Sequence, residues 1–352
     1  MKAFGILARK QDSFGIAVSG GSDSTALLLL AADYCAASGI TCLAVTVDHG
    51  LRPEAAAEAR KVRTLCGGLG IKHATLKWRR EGVGQVSQER ARLARHRLLA
   101  AWAQQVGVTR IALGHTRDDR IESFLIRSRQ GSGWYGLAGP MPESCSPVWP
   151  EGRGLRLMRP LLAFGREELR DELRSRGVAW IDDPSNVNIR YERVRMRRLV
   201  DRIADESRDS IIRIVEGLTQ FRAAVSADAS ALLEHLRIDE VRGGAEIPLL
   251  RLGRASEEAR RRAVEALVMA AGGAERAPRR DALDRLLQRI VEGDPQLNGG
   301  VTLGGAKIRL RKGGLLSVSQ APARRGMPAL GPPDWTRASA LLAPPDLRVL
   351  AV

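Results

Sequence analysis

The sequence predicts an α/β fold, a doubly wound and mostly parallel sheet, on three observations. Short apolar runs alternate with segments of helical periodicity as far as His115. The first apolar run ends in Ser-Gly-Gly, which leads directly into a helix. Polar residues follow the ends of several predicted strands, and parallel sheets of this kind bind their ligands at that edge.

The individual elements follow from the spacing of apolar residues. The predicted strands are Phe14–Val18, Thr41–Val47, Lys72–Trp78 and Thr109–His115. The predicted helices are Ser22–Ala37, a segment opened by Pro53, Val86–Val106 and Asp118–Arg129. A helix separates each strand from the next, so the connections are crossovers and the strands are parallel.

The pattern changes beyond this region. A Gly-rich stretch at 130–142 predicts a loop, and surface helices are predicted at Arg166–Arg176 and, strongly basic, at Arg190–Ile203. Amphipathic helices follow, and alternation around Gly-Gly turns between Gly299 and Ser319 predicts a small β-meander. We expect a catalytic domain at 1–215, a helical domain at 216–295, a β-rich element at 296–325, and a Pro/Ala-rich tail at 326–352, extended or disordered.

Charge narrows the choice of partners. The 352 residues include 56 Lys and Arg against 40 Asp and Glu, a formal net charge of +16 with a pI near 10.7. Such a surface attracts polyanions, so nucleic acid or an anionic membrane is favoured over an acidic protein. The hydrophobic fraction of 44% is that of a globular protein and excludes collagenous, disordered and membrane-spanning classes for the bulk of the chain.

Cysteine usage and the N-terminal segment indicate the compartment. Four cysteines without a C-x-x-C pair suggest neither a disulfide framework nor a zinc knuckle. The apolar run before Arg9 is too short for a signal peptide. We expect a cytoplasmic protein with no membrane association.

The strongest local motif is Val18–Leu28, whose glycines let backbone N–H groups approach phosphate oxygens at a helix N-terminus. It is not a Walker A loop because the G-K-[ST] ending is missing. A carboxylate such as Asp23 beside polyphosphate is explained by Mg²⁺ between them. The alternative is a plain turn with Asp23 as a helix N-terminal residue. The candidate nucleotide-binding residues are Ser19, Gly20, Gly21, Ser22, Asp23 and Ser24, with Asp48 and His49 at the next strand end or merely terminating it.

A second cluster comprises His115, Asp118, Asp119 and Glu122. Asp119 and Glu122 are three residues apart on a helix, so both side chains project from one side, while His115 ends the preceding strand. The alternative is an acidic first turn favoured by the helix dipole, with His115 as a neutral hydrogen-bonded neighbour.

These motifs carry a family resemblance. SGGSDS after a buried strand resembles the signature of the N-type ATP pyrophosphatases, or PP-loop proteins, of adenine nucleotide α-hydrolase-like fold. Four further segments, in family order, are similar to tRNA(Ile)-lysidine synthases and extend the resemblance over roughly the first 200 residues: Val47–Ala59, Leu113–Pro140, Arg159–Leu162 and Trp180–Arg197.

The resemblance implies a reaction with ATP and Mg²⁺. ATP adenylylates the C2 oxygen of the wobble cytidine in tRNA(Ile) with a CAU anticodon, and the side-chain amine of free L-lysine displaces AMP to give lysidine. Stabilising transfer at the α-phosphate needs positioning and charge neutralisation, so the absence of a Ser/His/Asp triad is no objection.

The resemblance also assigns roles. Asp119 and Glu122 hold lysine or Mg²⁺, which makes Asp23 and Asp119 the candidate metal ligands, and His115 contacts the adenylyl or cytidine group. Arg95 contacts the adenylate or cytidine, or is one basic residue of a solvated face. The family's arginine pattern falls on Arg193 and Arg197, which with Arg195 and Arg198 could bind tRNA phosphates.

Several positions depart from the family pattern. These are His96 for tyrosine, Val194 for asparagine, Arg120 for glutamine, Ser123 for threonine and Pro140 for methionine. Trp134 and Tyr135 are candidates for stacking on an anticodon base or for anchoring the loop.

The rival functions are another PP-loop enzyme, such as a tRNA thiolase, and a basic RNA-binding protein without turnover. The cysteine pairs of a thiolase are missing, and intact Asp23, Asp119 and Glu122 argue against an inert protein. We expect the C-terminal regions to bind tRNA. The oligomeric state is left open, with a dimer as one possibility.

Overall fold

The computed structural model describes residues 4–5, 13–50, 54–79, 87–182, 192–239, 243–322 and 332–350. Within it the chain divides into two compact units, 1–220 with 345–352 and 221–344. Some residues that begin or lie within predicted segments fall outside the described residues: Pro53, Val86, Arg190 and Pro328. Among the helices described, none combines the length and hydropathy needed to cross a membrane.

The first unit is built on a six-stranded sheet in the order β3-β2-β1-β4-β6-β5. The strands are β1 (Phe14–Ala17), β2 (Cys42–Asp48), β3 (Lys72–Lys77), β4 (Arg110–Leu113), β5 (Glu143–Cys145) and β6 (Arg156–Met158). Neighbouring strands are parallel except β5, which pairs antiparallel with β6. Strand order reverses between β1 and β4, so a crevice opens at the carboxyl ends of these two strands.

Helices cover both faces of this sheet. The helices that begin in this unit are α1 (Ser22–Ser38), α2 (Ala55–Gly68), α3 (Gln88–Val106), α4 (Arg117–Arg129), α5 (Trp134–Leu137), α6 (Arg166–Ser175), α7 (Glu192–Val200) and α8 (Asp205–Leu233), whose last residues belong to the second unit. Alternate β1 residues divide between two cores: Phe14 and Ile16 pack with α1, α2 and α6, while Ala17 packs with α3. α1 and α3 therefore lie on opposite faces.

The predicted doubly wound fold is confirmed. Each of the four predicted strands forms within one to two residues of its predicted ends. The apolar runs of β1, β2 and β4 are largely buried, whereas β3 is a half-buried strand at the edge of the sheet. The predicted loop at 130–142 contains the short helix α5, and β5 and β6 were not predicted because each has only three residues.

The second unit has a five-stranded antiparallel sheet in the order β7-β8-β11-β10-β9. Its strands are β7 (Arg237–Asp239), β8 (Gly244–Pro248), β9 (Val301–Leu303), β10 (Ala306–Arg311) and β11 (Leu315–Gln320). Its helices are α9 (Leu249–Arg254), α10 (Glu257–Gly272), α11 (Arg280–Glu292) and α12 (Thr336–Leu342), with 3-10 turns at Pro295–Asn298 and, in the first unit, Leu347–Leu350.

The second unit differs from the expected division of the chain. β8 pairs with β11, and α10, α11 and the sheet share one core that includes Leu267, Ile308 and Val318, so the regions 216–295 and 296–325 fold together. The unit begins at 221 rather than 216. The tail, expected to be extended or disordered, forms α12 because Trp335 and Leu342 are buried in that core.

Candidate active site

The loop between β1 and α1 has the form of a phosphate cradle. Gly20 adopts a φ of +89°, which favours glycine, and a Cβ there would lie 2.5 Å from Cδ1 of Ile181. Ser19 N donates to Ser24 Oγ at 3.1 Å, and Thr25 Oγ1 donates to the Gly20 carbonyl at 3.2 Å. These bonds fix the loop while the first N–H groups of α1 lack intrahelical partners, the arrangement that binds anions.

The end of β4 closes on this loop from the other side of the crevice. A Cβ on Gly114 would lie 3.1 Å from the carbonyl carbon and oxygen of Asp23, so the two backbones are nearly in contact. A cavity of about 370 Å³ opens beside them. It is lined by Ala17, Ser19, Gly21, Ser22, Asp23, Ser24, Arg95, Leu113, Gly114, His115, Asp119, Arg166, Arg170, Asp182, Arg193 and Arg197.

Beside the cavity, Glu122 is the centre of an ion-pair network. Its side chain is fully buried, and Oε1 accepts from Arg166 Nη2 at 3.2 Å and from Arg197 Nε at 3.1 Å. Its Oε2 accepts from Arg193 Nε at 3.0 Å. Because three guanidinium groups meet one carboxylate, further negative charge is needed to balance the site.

Asp119 and Asp23 supply that charge. Arg193 Nη2 donates to Asp119 Oδ1 at 2.6 Å, and Arg166 Nη2 lies 3.6 Å from the same oxygen. Arg166 Nε donates to Asp23 Oδ2 at 3.4 Å. Burial lowers the pKa of Arg166, but Glu122, Asp23, Asp119 and Asp118 outweigh it, so the pKa is raised and the guanidinium stays charged. The network also joins three elements to the loop.

The pKa of Asp23 is raised above its ordinary value. Burial is the main cause, Arg166 opposes it, and the charge of Asp119 adds to it. A partly buried carboxylate beside another carboxylate is stabilised by a cation in the cavity. Two carboxylates with substrate phosphate oxygens are a usual ligand set for Mg²⁺, so Asp23 and Asp119 fit that ion. Within the described residues, no group of three or more His, Cys, Asp and Glu side chains could hold a metal by itself.

The start of α4 orients its acidic residues. Thr116 and Asp119 form a capping box, in which Thr116 N donates to Asp119 Oδ2 at 2.9 Å and Asp119 N donates to Thr116 Oγ1 at 3.4 Å. Asp118 Oδ2 accepts from the backbone N of Arg166 at 2.7 Å. Asp118 therefore holds the N-terminus of α6, while Asp119 faces the cavity.

His115 lies on the more basic side of the cavity. Burial, then the charges of Arg159, Arg193, Arg95 and Arg92, lower its pKa well below the ordinary value, so the imidazole is neutral at physiological pH. Its Nδ1 is buried without a partner among the described residues. A neutral histidine with one free ring nitrogen is suited to hydrogen bonding with a bound ligand.

Most of the predicted residues converge. The cavity is lined by Ser19, Gly21, Ser22, Asp23, Ser24, Arg95, His115, Asp119 and Arg193, while Gly20 shapes the loop and Glu122 is buried behind it. Asp48 and His49 lie at the end of β2 outside this lining; Asp48 Oδ1 accepts from Gly50 N, and the His49 ring packs against Trp78.

The aromatic pair of the Gly-rich segment also lies outside the lining of the cavity. Trp134 and Tyr135 are half-buried in α5, edge to face with ring centroids 5.5 Å apart. The α5 backbone is held by Arg127, whose Nη1 donates to the Gly136 carbonyl at 2.5 Å.

Arg166 is the central residue that sequence reasoning missed as a site residue. It is the first residue of α6, where the helix dipole disfavours a cation. An arginine at such a position indicates a carboxylate partner elsewhere in the fold. The sequence does not show which one, because the partners Glu122, Asp119 and Asp23 are 44, 47 and 143 residues away.

Comparison with known proteins agrees with this geometry. The PP-loop domain family matches residues 2–203, so the chain belongs to the PP-loop family. The tRNA(Ile)-lysidine synthase of Hyphomonas neptunium is 44% identical over 299 residues, 85% of this chain and 79% of that protein. That of a Bradyrhizobium species is 39% identical over 336 residues, 88% of this chain and 90% of the relative. Within the PP-loop proteins, the chain is therefore a member of the tRNA(Ile)-lysidine synthase family, which confirms the resemblance found in the sequence.

A solved structure shares the fold. The U34-tRNA thiolase NcsA from Methanococcus maripaludis, with its 4Fe-4S cluster, superposes with a TM-score of 0.51 at 18% identity, covering 62% of this chain and 76% of that one. This likeness concerns the fold alone. All four cysteines of the present chain are described, and none lines the cavity.

Proposed function

We propose that the cavity between β1 and β4 is the active site in which ATP, the wobble cytidine of tRNA(Ile) with a CAU anticodon, and L-lysine react to give lysidine. The observation that carries this proposal is the meeting of Asp23, Asp119 and Glu122 at Arg166. It joins a phosphate-binding loop to a second acidic group in one crevice, as a reaction between a nucleotide and an amine requires.

The first step transfers the adenylyl group. The C2 oxygen of cytidine attacks the α-phosphorus, the bond to the β-phosphate breaks, and pyrophosphate leaves. The N–H groups following Gly21 bind the triphosphate, and neutral His115 donates or accepts a hydrogen bond at the adenylyl or cytidine group. Asp23 and Asp119 would hold Mg²⁺, whose charge offsets that of the triphosphate.

The second step forms the C–N bond. The lysine side-chain amine, in its neutral form, attacks C2, the bond from C2 to the adenylyl oxygen breaks, and AMP leaves with that oxygen. The nitrogen gives up one proton to solvent. Asp119 positions the amine, and Glu122, buried behind the cavity, holds Arg166, Arg193 and Arg197 in place around it. A second cavity of about 400 Å³ shares Arg166, Arg170 and Arg197 with the first. Its lining mixes arginines with acidic residues, and the carboxylates of Asp201, Asp205 and Asp209 on one part of it suit the ammonium groups of a cationic amino acid.

The second unit offers a surface for the tRNA backbone. Along β10, Ala306 and Ile308 face the core, so Lys307, Arg309 and Arg311 alternate onto the opposite face of the sheet. Lys307 and Arg309 are paired across the ladder with Ser319 and Ser317, which leave the basic side chains room to reach a ligand. Three cations at alternate positions along one strand suit successive phosphates of RNA.

Lysine incorporation tests the proposed reaction. The purified protein is incubated with ATP, Mg²⁺, labelled lysine and a tRNA(Ile) transcript with a CAU anticodon, or the same transcript with uridine at the wobble position. Label confined to the cytidine transcript is expected. Release of AMP without incorporation would favour another PP-loop reaction, and untouched ATP would favour an RNA-binding protein.

A further inference from the structure

Among the described residues, two arginines beside the cavity have no carboxylate partner, unlike the other arginines there. Arg166, Arg193 and Arg197 all contact buried carboxylates. Arg92 and Arg95, both on α3, make no side-chain hydrogen bond or ion pair with any residue that the structure describes. Within the described part of the chain, the cavity therefore has one side where arginine charge is balanced by carboxylates and one side where it is not.

The two arginines form a path into the cavity. They are three residues apart on α3, so both side chains lie on the same side of the helix, about 4.5 Å apart along its axis. α3 leads into β4 by a crossover, and its N-terminal end thus lies at the carboxyl edge of the sheet. Arg95 lines the cavity, and Arg92, one turn nearer that end, is exposed.

The surroundings of these two guanidinium groups are positive. Arg92 is exposed as a whole residue, but the protein around its guanidinium group still displaces water there, and this desolvation and the charge of Arg193 lower its pKa. Burial and the charge of Arg92 lower the pKa of Arg95. Among the residues that the structure describes, no carboxylate raises the pKa of either arginine. Clustering of like charges in a cavity is unfavourable in the free protein and becomes favourable when a ligand brings an anion.

The triphosphate has a binding loop of its own, residues 19–24, on another wall of the cavity that Arg95 lines. Its loop belongs to α1, which packs on the opposite face of the sheet from α3. A base that reacts inside a cavity has to leave its stack, and it carries its flanking phosphates to the entrance. Those phosphates are the anions expected at an arginine pair that runs from the surface inward.

We propose that Arg92 and Arg95 bind an RNA phosphate next to the target cytidine and hold the flipped nucleotide in the cavity. This inference rests on the proposed function. It makes Arg92 a positioning residue for the RNA substrate and assigns it no part in binding ATP.

A neutral phosphate analogue tests the contact directly. Full-length tRNA(Ile) is assembled with one methylphosphonate, either 5′ or 3′ of the wobble cytidine, and Kd is measured by filter binding with the full chain. For the unaltered protein, one of the two replacements is expected to weaken binding about tenfold, or ~1.4 kcal/mol. Arg92→Gln is expected to weaken binding of ordinary tRNA by a similar factor and to abolish the penalty of the methylphosphonate.

Three controls separate the possible outcomes. Arg90→Gln removes an exposed arginine of the same helix and should leave Kd within twofold. Arg95→Lys, which keeps the charge, should retain part of the methylphosphonate penalty. ATP affinity should be unchanged in Arg92→Gln, and its melting temperature should match that of the unaltered protein.

The proposal is overturned if Arg92→Gln still binds the methylphosphonate tRNA with the full loss of affinity, or if neither methylphosphonate weakens tRNA binding by the unaltered protein. It is also overturned if Arg92→Gln weakens ATP binding more than tRNA binding. Failure of the proposed function has a different signature. In that case the unaltered protein incorporates no lysine, while the Kd values for ordinary and methylphosphonate tRNA still show whether Arg92 contacts the phosphate.

Discussion

Nε of Arg166 lies 3.4 Å from Oδ2 of Asp23, and this ion pair joins the loop after β1 to the first residue of α6 across 143 positions of sequence. Arg166 is thus a built-in cation at the carboxylate we assign to Mg²⁺. A cation that binds Asp23 has to compete with this guanidinium. Asp119 and Glu122 remain available to Arg166 when it does.

Asp23→Asn is expected to abolish lysine incorporation while the melting temperature stays within a few degrees. The amide cannot replace the charge that a metal ion at the triphosphate needs, and loss of such electrostatic stabilisation costs on the order of 10² to 10³ in rate. Arg166 keeps its other carboxylates, so the fold is retained. Lysine incorporation and thermal unfolding are measured together, and turnover at the normal rate would contradict the assigned role.

Glu122→Gln is expected to destabilise the first unit by ~3–5 kcal/mol, because three arginines lose a fully buried counter-charge. Glu168→Gln is the control: its side chain is 53% exposed and pairs with Arg117, an ion pair worth ~0–1 kcal/mol. Urea unfolding gives both values. Equal losses in the two variants would mean that the network contributes nothing beyond a surface pair.

Gly20→Ala is expected to weaken ATP binding as well as stability. Gly20 and Gly39 both have positive φ, so an alanine at either costs roughly 1–2 kcal/mol of backbone strain. Only at Gly20 would the new methyl group also collide, with Ile181, whereas nothing lies within 4 Å at Gly39. Calorimetric ATP titration of both variants should show weakened binding in Gly20→Ala alone.

His96 makes stability depend on pH. Burial, with Arg95, Arg92 and Arg159, lowers its pKa to about 3 from 6.5. Between these values the unfolded chain binds a proton that the folded chain does not, so the free energy of unfolding falls as the pH drops, by up to ~1.4 kcal/mol per pH unit. His96→Phe should make the decline shallower below about pH 6.5. Urea titrations between about pH 3 and pH 6.5 give the free energy of unfolding at each pH. If this free energy falls with pH as steeply in His96→Phe as in the unaltered protein, the prediction is wrong.

Removing the positive charges of β10 from the sheet face opposite the core of the second unit is expected to weaken tRNA binding without affecting ATP binding. Deletion after Asn298 is unsuitable as a test, because β10 and β11 supply Ile308, Leu316 and Val318 to the core. The combined substitution of Lys307, Arg309 and Arg311 by Gln should instead reduce the slope of log Kd against log salt by up to ~0.7–0.9 for each phosphate that the protein no longer neutralises. Arg285→Gln, which removes a cation paired with Asp281, is the control.

The sequence predicted what local pattern encodes. β1 and β4 are apolar runs buried on both faces, and the glycines and Asp23 of the loop between β1 and α1 are adjacent in the chain. The role of Arg166 could not be predicted, since its partners come together only through tertiary structure. For the same reason the common core of α10 and β11, and the burial of Trp335 that orders α12, escaped prediction.

The two oxygens of Asp119 have separate roles. Oδ2 accepts from the backbone N of Thr116 and so belongs to the first turn of α4, whereas Oδ1 meets Arg193 in the cavity. A ligand can therefore recruit Oδ1 while the helix start stays intact, but recruiting Oδ2 would disrupt that turn. Asp119 thus offers a substrate one acceptor atom with a fixed angle of approach, and the rigidity of α4 sets that angle.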